Sequence, residues 1–180
     1  MNLNIPYMET DNKLLNDAYR IAAGDIVGNI VYYQNGLLTE EKPCMIAGLD
    51  YNTPWTRDTA INIWNALSIL SPEVSKNTLL AVLEEEEGNI YIGGQYWDSI
   101  IWMIGAREYC RFHKDDNFYR LAFEAGRNSV HRLEEGEFDE EDGLFRGPAV
   151  YGDGIAAYPD KYSKCPNQGS GILELSLIHI

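Results

Sequence analysis

Residues 57–88, RDTAINIWNALSILSPEVSKNTLLAVLEEEEG, decide the fold that this sequence predicts. Apolar residues recur at helical spacing over 57–71. Pro72 stops that helix and can open the next, because proline fits the first turn of a helix but not its interior. The next helix is predicted over 72–86 and closes at Gly88. The stretch therefore predicts two helices joined by almost nothing, the first with an apolar face of Ile61, Trp64, Ala66, Leu67 and Leu70.

The rest of the chain repeats this helical spacing. A helix over 12–28 is capped by Thr10 or Asp11, and a short strand at 30–33 lies within the irregular stretch 29–52. Two more helices are predicted over 96–112 and 117–133, the second capped by Asp115 or Asp116, and 134–170 is loop-like. The apolar face of the first helix consists of Leu14, Leu15, Ala18, Ile21 and Ala22.

Short and long connections alternate between these helices. The second and third predicted helices are separated by almost no connecting residues, and so are the fourth and fifth. The connections between these pairs are long, polar and aromatic. A ring of helical hairpins has this asymmetry, with one tight rim and one rim of long loops that form a site. The sequence therefore predicts an all-α fold, with residues 1–180 as one domain.

Composition excludes several classes of partner. The 180 residues contain 14 Lys and Arg against 28 Asp and Glu, a formal net charge of −14, which argues against nucleic acid and anionic membranes. No apolar run is long enough to span a membrane, and no signal peptide is visible, so a cytoplasmic location is the default. Three widely spaced cysteines without a CxxC pair predict reduced thiols, with neither a disulfide framework nor a zinc site.

The segment Pro54-Trp55-Thr56-Arg57-Asp58 carries the strongest chemical signal. Arg donates hydrogen bonds in a planar fork, Asp accepts from two hydroxyls, and an indole packs on the apolar face of a pyranose. This combination suits sugar recognition. The alternative is that Asp58 caps the helix, with Arg57 as its solvated partner.

The stretch AGLDYNTPWTRDTAINIWNAL, residues 47–67, resembles the six-hairpin glycosidases, which include glucoamylases, the glucosidase part of glycogen-debranching enzymes and trehalase-like proteins. In these families a WxRD segment opens the second helix of an (α/α)6 toroid. The resemblance, which covers about 47–160, implies that Arg57 and Asp58 hold hydroxyls of the sugar in the −1 subsite, with Trp55 close by. It also implies that this chain is part of such a toroid, truncated at its C-terminus.

The segment Gly94-Gln95-Tyr96-Trp97-Asp98 resembles the next site loop of the same families. There an aromatic residue or Gln precedes a helix whose first turn carries an Asp. Asp98 is therefore a candidate for contact with sugar, although capping of the helix is equally open. Tyr91 and Gln95 are the other residues assigned to the pocket side of this loop.

The loop 141–154, EDGLFRGPAVYGDG, resembles the loop in which several barrel families place their general acid. Asp153 is the candidate acid, since glycoside cleavage needs one carboxylic acid to protonate the leaving oxygen. Gly152 and Gly154 permit close approach of the backbone, and Tyr151 can wall the site. Tyr151-Gly152 departs from the Trp and bulkier residue that the families usually have here. A Gly-Asp-Gly surface turn is the alternative.

The resemblance implies a glycoside hydrolase that inverts configuration, acting on an α-linked glucoside or related oligosaccharide. The catalytic base of these families normally lies in the last third of the barrel, so the chain alone is expected to be inactive. An incomplete barrel also leaves apolar helix faces uncovered at its open edge, so the chain is expected to self-associate there. No cofactor or metal is expected, because the acidic runs 84–87 and 134–141 lack calcium-loop spacing. The rivals are a disaccharide phosphorylase on the same barrel and a non-catalytic barrel that binds a glycan or a protein partner.

Overall fold

The protein is mostly helical, with small antiparallel sheets, in a computed structural model that describes residues 5–48, 50–94, 98–141, 143–147 and 169–170. Its helices are α1 (Lys13–Gly28), α2 (Thr56–Asn62), α3 (Ser68–Leu70), α4 (Pro72–Ala81), α5 (Asp98–Phe112) and α6 (Asp116–Glu137), and a π-helical turn (Ile63–Leu67) joins α2 to α3. Its strands are β1 (Ile30–Tyr33), β2 (Lys42–Met45), β3 (Leu83–Glu86), β4 (Asn89–Ile92), β5 (Phe138–Asp139), β6 (Leu144–Gly147) and β7 (Gly169–Ser170). The helical class agrees with the sequence prediction, and the sheets are additions to it.

The core lies where α2 and its π-helical extension pack against α5. Gly105 of α5 allows a close approach, since a Cβ there would lie 2.8 Å from the Cα of Ala60. Trp102 is completely buried beside Phe118 of α6, and its indole nitrogen donates a hydrogen bond to the Leu79 carbonyl of α4. Helices α2, α4 and α6 thus all pack against α5, which fixes the ends of α2 and α5 relative to each other.

The two short helix connections are where the sequence predicted them. Pro72 occupies the first turn of α4, directly after Ser71, and residues 113–115 alone join α5 to α6. Asp115 caps α6, because its side chain accepts a hydrogen bond from the Phe118 amide. Both local predictions are confirmed. They could be made from the sequence because each depends on residues only a few positions apart.

The predicted third helix is wrong beyond Ala81. Leu83–Glu86 pairs with Asn89–Ile92 as an antiparallel hairpin, which places Glu86 opposite Asn89. The two turn residues, Glu87 and Gly88, both have positive φ angles, of 52° and 79°. Such a two-residue turn fits the twist of a hairpin. In a helix Glu84 and Glu87 would be neighbours at positions i and i+3, where like charges repel.

The other corrections concern the two ends of the described chain. Asn12, not Thr10 or Asp11, caps α1 by accepting from the amides of Leu14 and Leu15. The predicted loop after residue 133 is wrong at its start, because α6 continues to Glu137. The β5 strand then pairs with β6, and β6 pairs with β7.

Candidate functional site

The loop Gly93-Gly94, between β4 and α5, lies at the N-terminal ends of α2 and α5. The Thr56 hydroxyl at the start of α2 donates a buried hydrogen bond of 2.8 Å to the Gly93 carbonyl. The Gly93 amide in turn donates to the Val82 carbonyl at 2.9 Å. These bonds hold the loop against both α2 and the β3–β4 hairpin.

Two adjoining cavities flank this loop, and Glu84, Gly93 and Gly94 border both of them. The first, named the Trp55 cavity, has a volume of about 170 Å³ and is also bordered by Trp55, Thr56 and Asp98. The second, named the Tyr91 cavity, has a volume of about 310 Å³ and is also bordered by Tyr91, Ser99, Arg132 and Glu137.

Asp98, which borders the Trp55 cavity, belongs to a buried ion pair. The Nη1 atom of Arg57 lies 3.2 Å from each carboxylate oxygen of Asp98. The Asp98 side chain is only 2% exposed and that of Arg57 is 12% exposed. Asp98 is also the first residue of α5, where the helix dipole favours a negative charge. Asp98 is therefore held rigidly between α2 and α5.

Gly94 makes room for this carboxylate. Its φ angle is +113°, and a Cβ there would lie 2.5 Å from Oδ2 of Asp98 and 2.9 Å from Oγ1 of Thr56. Any other residue at this position would combine backbone strain with a collision. The glycine is thus needed for both the conformation and the close packing of the loop.

Aromatic and cationic groups orient the indole of Trp55. The guanidinium carbon of Arg57 lies 5.2 Å from the Trp55 ring centroid, within range of a cation–π interaction. The ring of Tyr51 meets the indole edge-on, with 5.9 Å between centroids. Trp55 therefore borders the cavity in an orientation that two neighbours support.

The Tyr91 cavity has a different arrangement of charge. The guanidinium carbon of Arg132 lies 3.4 Å from the Tyr91 ring centroid, and its Nη2 atom bonds to Glu86 at 2.7 Å. Burial raises the pKa of Glu137, which borders the same cavity. The Ser129 hydroxyl of α6 accepts from the Ile92 amide at 2.9 Å, so α6 is fastened to β4.

The structure brings three of the sequence-predicted site residues to these cavities, namely Trp55, Asp98 and Tyr91. Arg57 lies beside them, with its charge directed at Asp98. Asp58 is half-buried in the first turn of α2 and is not among the residues that border either cavity.

The capping alternative for Asp58 is wrong, because the N-cap position belongs to Trp55, which makes no side-chain capping bond. Three further predicted residues, Gln95, Tyr151 and Asp153, lie outside the described residues.

Sequence reasoning missed Glu84, Arg132 and Glu137. The sequence analysis places the run 84–87 at the end of a predicted helix and the run 134–141 in a predicted loop. The available signal was the dipeptide Glu87-Gly88, because a two-residue turn at this point places Glu84 opposite Tyr91 on a hairpin.

A larger groove, of about 600 Å³, lies between α5 and α6. It is mostly apolar, with Phe123, Val130 and Met103 among the residues that border it. Of the predicted site residues that the structure describes, none borders this groove. The Gly93-Gly94 loop is therefore the candidate site, since aromatic rings and carboxylates converge there from separate segments.

No protein-family model, curated protein or solved structure matches this chain. Among the described residues, none of the helices combines the length and the apolar character needed to cross a membrane. The same residues contain no group of three or more His, Cys, Asp or Glu side chains able to hold a metal ion.

Proposed function

We propose that this chain is part of a glycoside hydrolase that acts on an α-linked glucoside or a related oligosaccharide. The observation that carries the proposal is the convergence of Trp55, Tyr91 and Asp98 on one loop, from segments that are separated along the chain. Aromatic faces with nearby carboxylates suit a pyranose, which has apolar faces and a rim of hydroxyls.

The arrangement of the helices supports the proposed (α/α)6 toroid. Arg57 meets Asp98 near the starts of α2 and α5, and Ala60 meets Gly105 further along both helices. The two helices therefore run in the same direction and begin at the end that holds the site. The short connections, at Ser71 and at 113–115, lie at the other end. Such a division between a tight rim and a rim that carries the site is expected for a ring of helical hairpins.

The proposed chemistry assigns different tasks to the residues. Trp55 offers an apolar surface to the sugar, while Arg57 holds Asp98 in place instead of donating all its hydrogen bonds to hydroxyls. From the resemblance, Asp153 is proposed as the general acid of an inverting reaction, which needs a base to activate water on the opposite face. That base is not assigned to this chain, so binding is a more direct test than turnover.

The test is a titration of the chain with methyl α-glucoside and with maltose, followed by ligand-observed NMR and calorimetry. We expect the chain to bind both sugars, and Trp55→Ala to weaken binding at least tenfold because the sugar loses its apolar surface. Trp64→Ala is the matched control, since Trp64 is 51% exposed on the helical segment after α2 and does not border either cavity. Absence of binding to either sugar would contradict the proposed function.

A further inference from the structure

Glu84 occupies the junction between the two cavities. Its Oε1 atom lies 2.5 Å from the position that a Cβ of Gly93 would take, so the carboxylate sits directly against the loop backbone. In the β3–β4 register Glu84 is opposite Tyr91, and directly opposed residues project from the same face of a hairpin. The carboxylate and the aromatic ring therefore face the same side of the hairpin.

Two other carboxylates near this site are already occupied by protein partners. Asp98 pairs with Arg57, and Glu86 pairs with Arg132, which also stacks on Tyr91. Glu84, in contrast, is exposed, and within the described residues its side chain makes no hydrogen bond or ion pair. A carboxylate in this state can accept hydrogen bonds from a ligand without giving up a partner in the protein.

We propose that Glu84 is the carboxylate of this site that contacts the substrate, accepting hydrogen bonds from two hydroxyls of a neutral sugar bound over Gly93-Gly94. This assignment rests on the proposed function. It also defines a class of substrate, because the two cations are neutralised by Asp98 and Glu86, while Glu84 and Glu137 keep the cavities negative. A sugar that carries a carboxylate is repelled, and a neutral sugar is accepted.

The test compares Glu84→Gln with the unchanged chain, using methyl α-glucoside and methyl α-glucuronide as probes. We expect the variant to bind the glucoside about tenfold more weakly, because a charge-assisted hydrogen bond is lost. The glucuronide, bound weakly by the unchanged chain, is expected to bind the variant at least as well as before. A purely structural role for Glu84 would weaken the binding of both probes together.

Glu85→Gln is the matched control, since it removes the same charge from the next position of β3, does not border either cavity and projects from the opposite face. It is expected to leave the affinity for both probes unchanged. A thermal melt of each variant checks the fold, and Glu84→Asp, which keeps the charge on a shorter side chain, is expected to weaken the glucoside affinity as well.

The outcomes separate the two proposals. If the unchanged chain binds methyl α-glucoside through Trp55 and Glu84→Gln binds it equally well, the assignment of Glu84 is wrong and the proposed function stands. An equal loss of affinity in Glu85→Gln would also overturn the assignment, because the effect would be one of net charge. If the unchanged chain binds no sugar, the proposed function fails, and the role of Glu84 fails with it.

Discussion

Helices α1 and α5 are almost equal in length, with 16 and 15 residues, but they differ in how much of each helix is buried. Nine residues of α5 are buried, whereas α1 has none. Leu14 and Ile21, on the predicted apolar face of α1, remain 78% and 64% exposed. An apolar stripe thus predicts which face of a helix favours burial, but it does not show whether the rest of the chain covers that face.

The difference arises from the partners of each helix. The Gly105 position of α5 lets α2 approach to backbone contact, while a Cβ at Gly24 of α1 would have nothing within 4 Å. In the described part of the chain α1 packs mainly against the short strand β1. Self-association through uncovered apolar faces such as that of α1 stays a prediction.

The largest expected effect comes from truncating the centre of α5. Trp102→Ala should lower the free energy of unfolding by about 3–5 kcal/mol, because it removes a completely buried indole and leaves a cavity. Leu14→Ala, the corresponding truncation on α1, should change it by less than about 0.5 kcal/mol. Chemical denaturation followed by circular dichroism measures both. A large loss of stability in Leu14→Ala would show that α1 is covered after all.

A second effect tests the N-terminus of α5. Asp98→Asn should cost about 3 kcal/mol, because the change removes the charge of Asp98 from a buried ion pair whose Arg57 side chain is only 12% exposed. Asp116→Asn is the control, since Asp116 is also in the first turn of a helix but is exposed. Equal denaturation midpoints for the two variants would mean that the Arg57–Asp98 pair does not hold α2 against α5.

The smallest expected effect is the loss of stability when a helix cap is removed, and it should differ between the caps of α6 and α1. Asp115 caps α6 and binds Lys76 of α4 at 2.6 Å, whereas Asn12 caps only α1. Asp115→Ala should cost about 1 kcal/mol of global stability, while Asn12→Ala should only fray α1 locally. Denaturation midpoints report the global loss, and hydrogen exchange at the amides of α1 reports the fraying.

The Asp115 effect should also depend on pH. The hydrogen bond from Lys76 holds the pKa of Asp115 below its usual value, so the folded state favours the ionised carboxylate. Its contribution is therefore complete above about pH 4 and is lost as the pH falls through the lowered pKa. The stability difference between the unchanged chain and Asp115→Ala should shrink in acid. A difference that stays constant down to pH 2 would exclude the Lys76 contact as its source.

Part of the site was predictable from residue types close together in sequence. Trp55 and Asp98 were identified from short motifs, and both border the same cavity. The ion pair between Arg57 and Asp98 was not predictable, because the two residues are 41 positions apart and their contact depends on how α2 packs against α5. Glu84 was missed for a related reason, since its position depends on pairing with Tyr91 in a strand rather than on helical spacing.

The sequence by itself determined the features that local chemistry controls. These are the helical spacing of most segments, the start of α4 at Pro72 and the cap at Asp115, each set by residues within a few positions. Only the tertiary structure decided that 83–86 is a strand, that none of the residues of α1 is buried, and that Glu84 is exposed while Asp98 is buried. The physical reason is that burial and ion pairing depend on surfaces brought together from distant segments, about which local spacing carries little information.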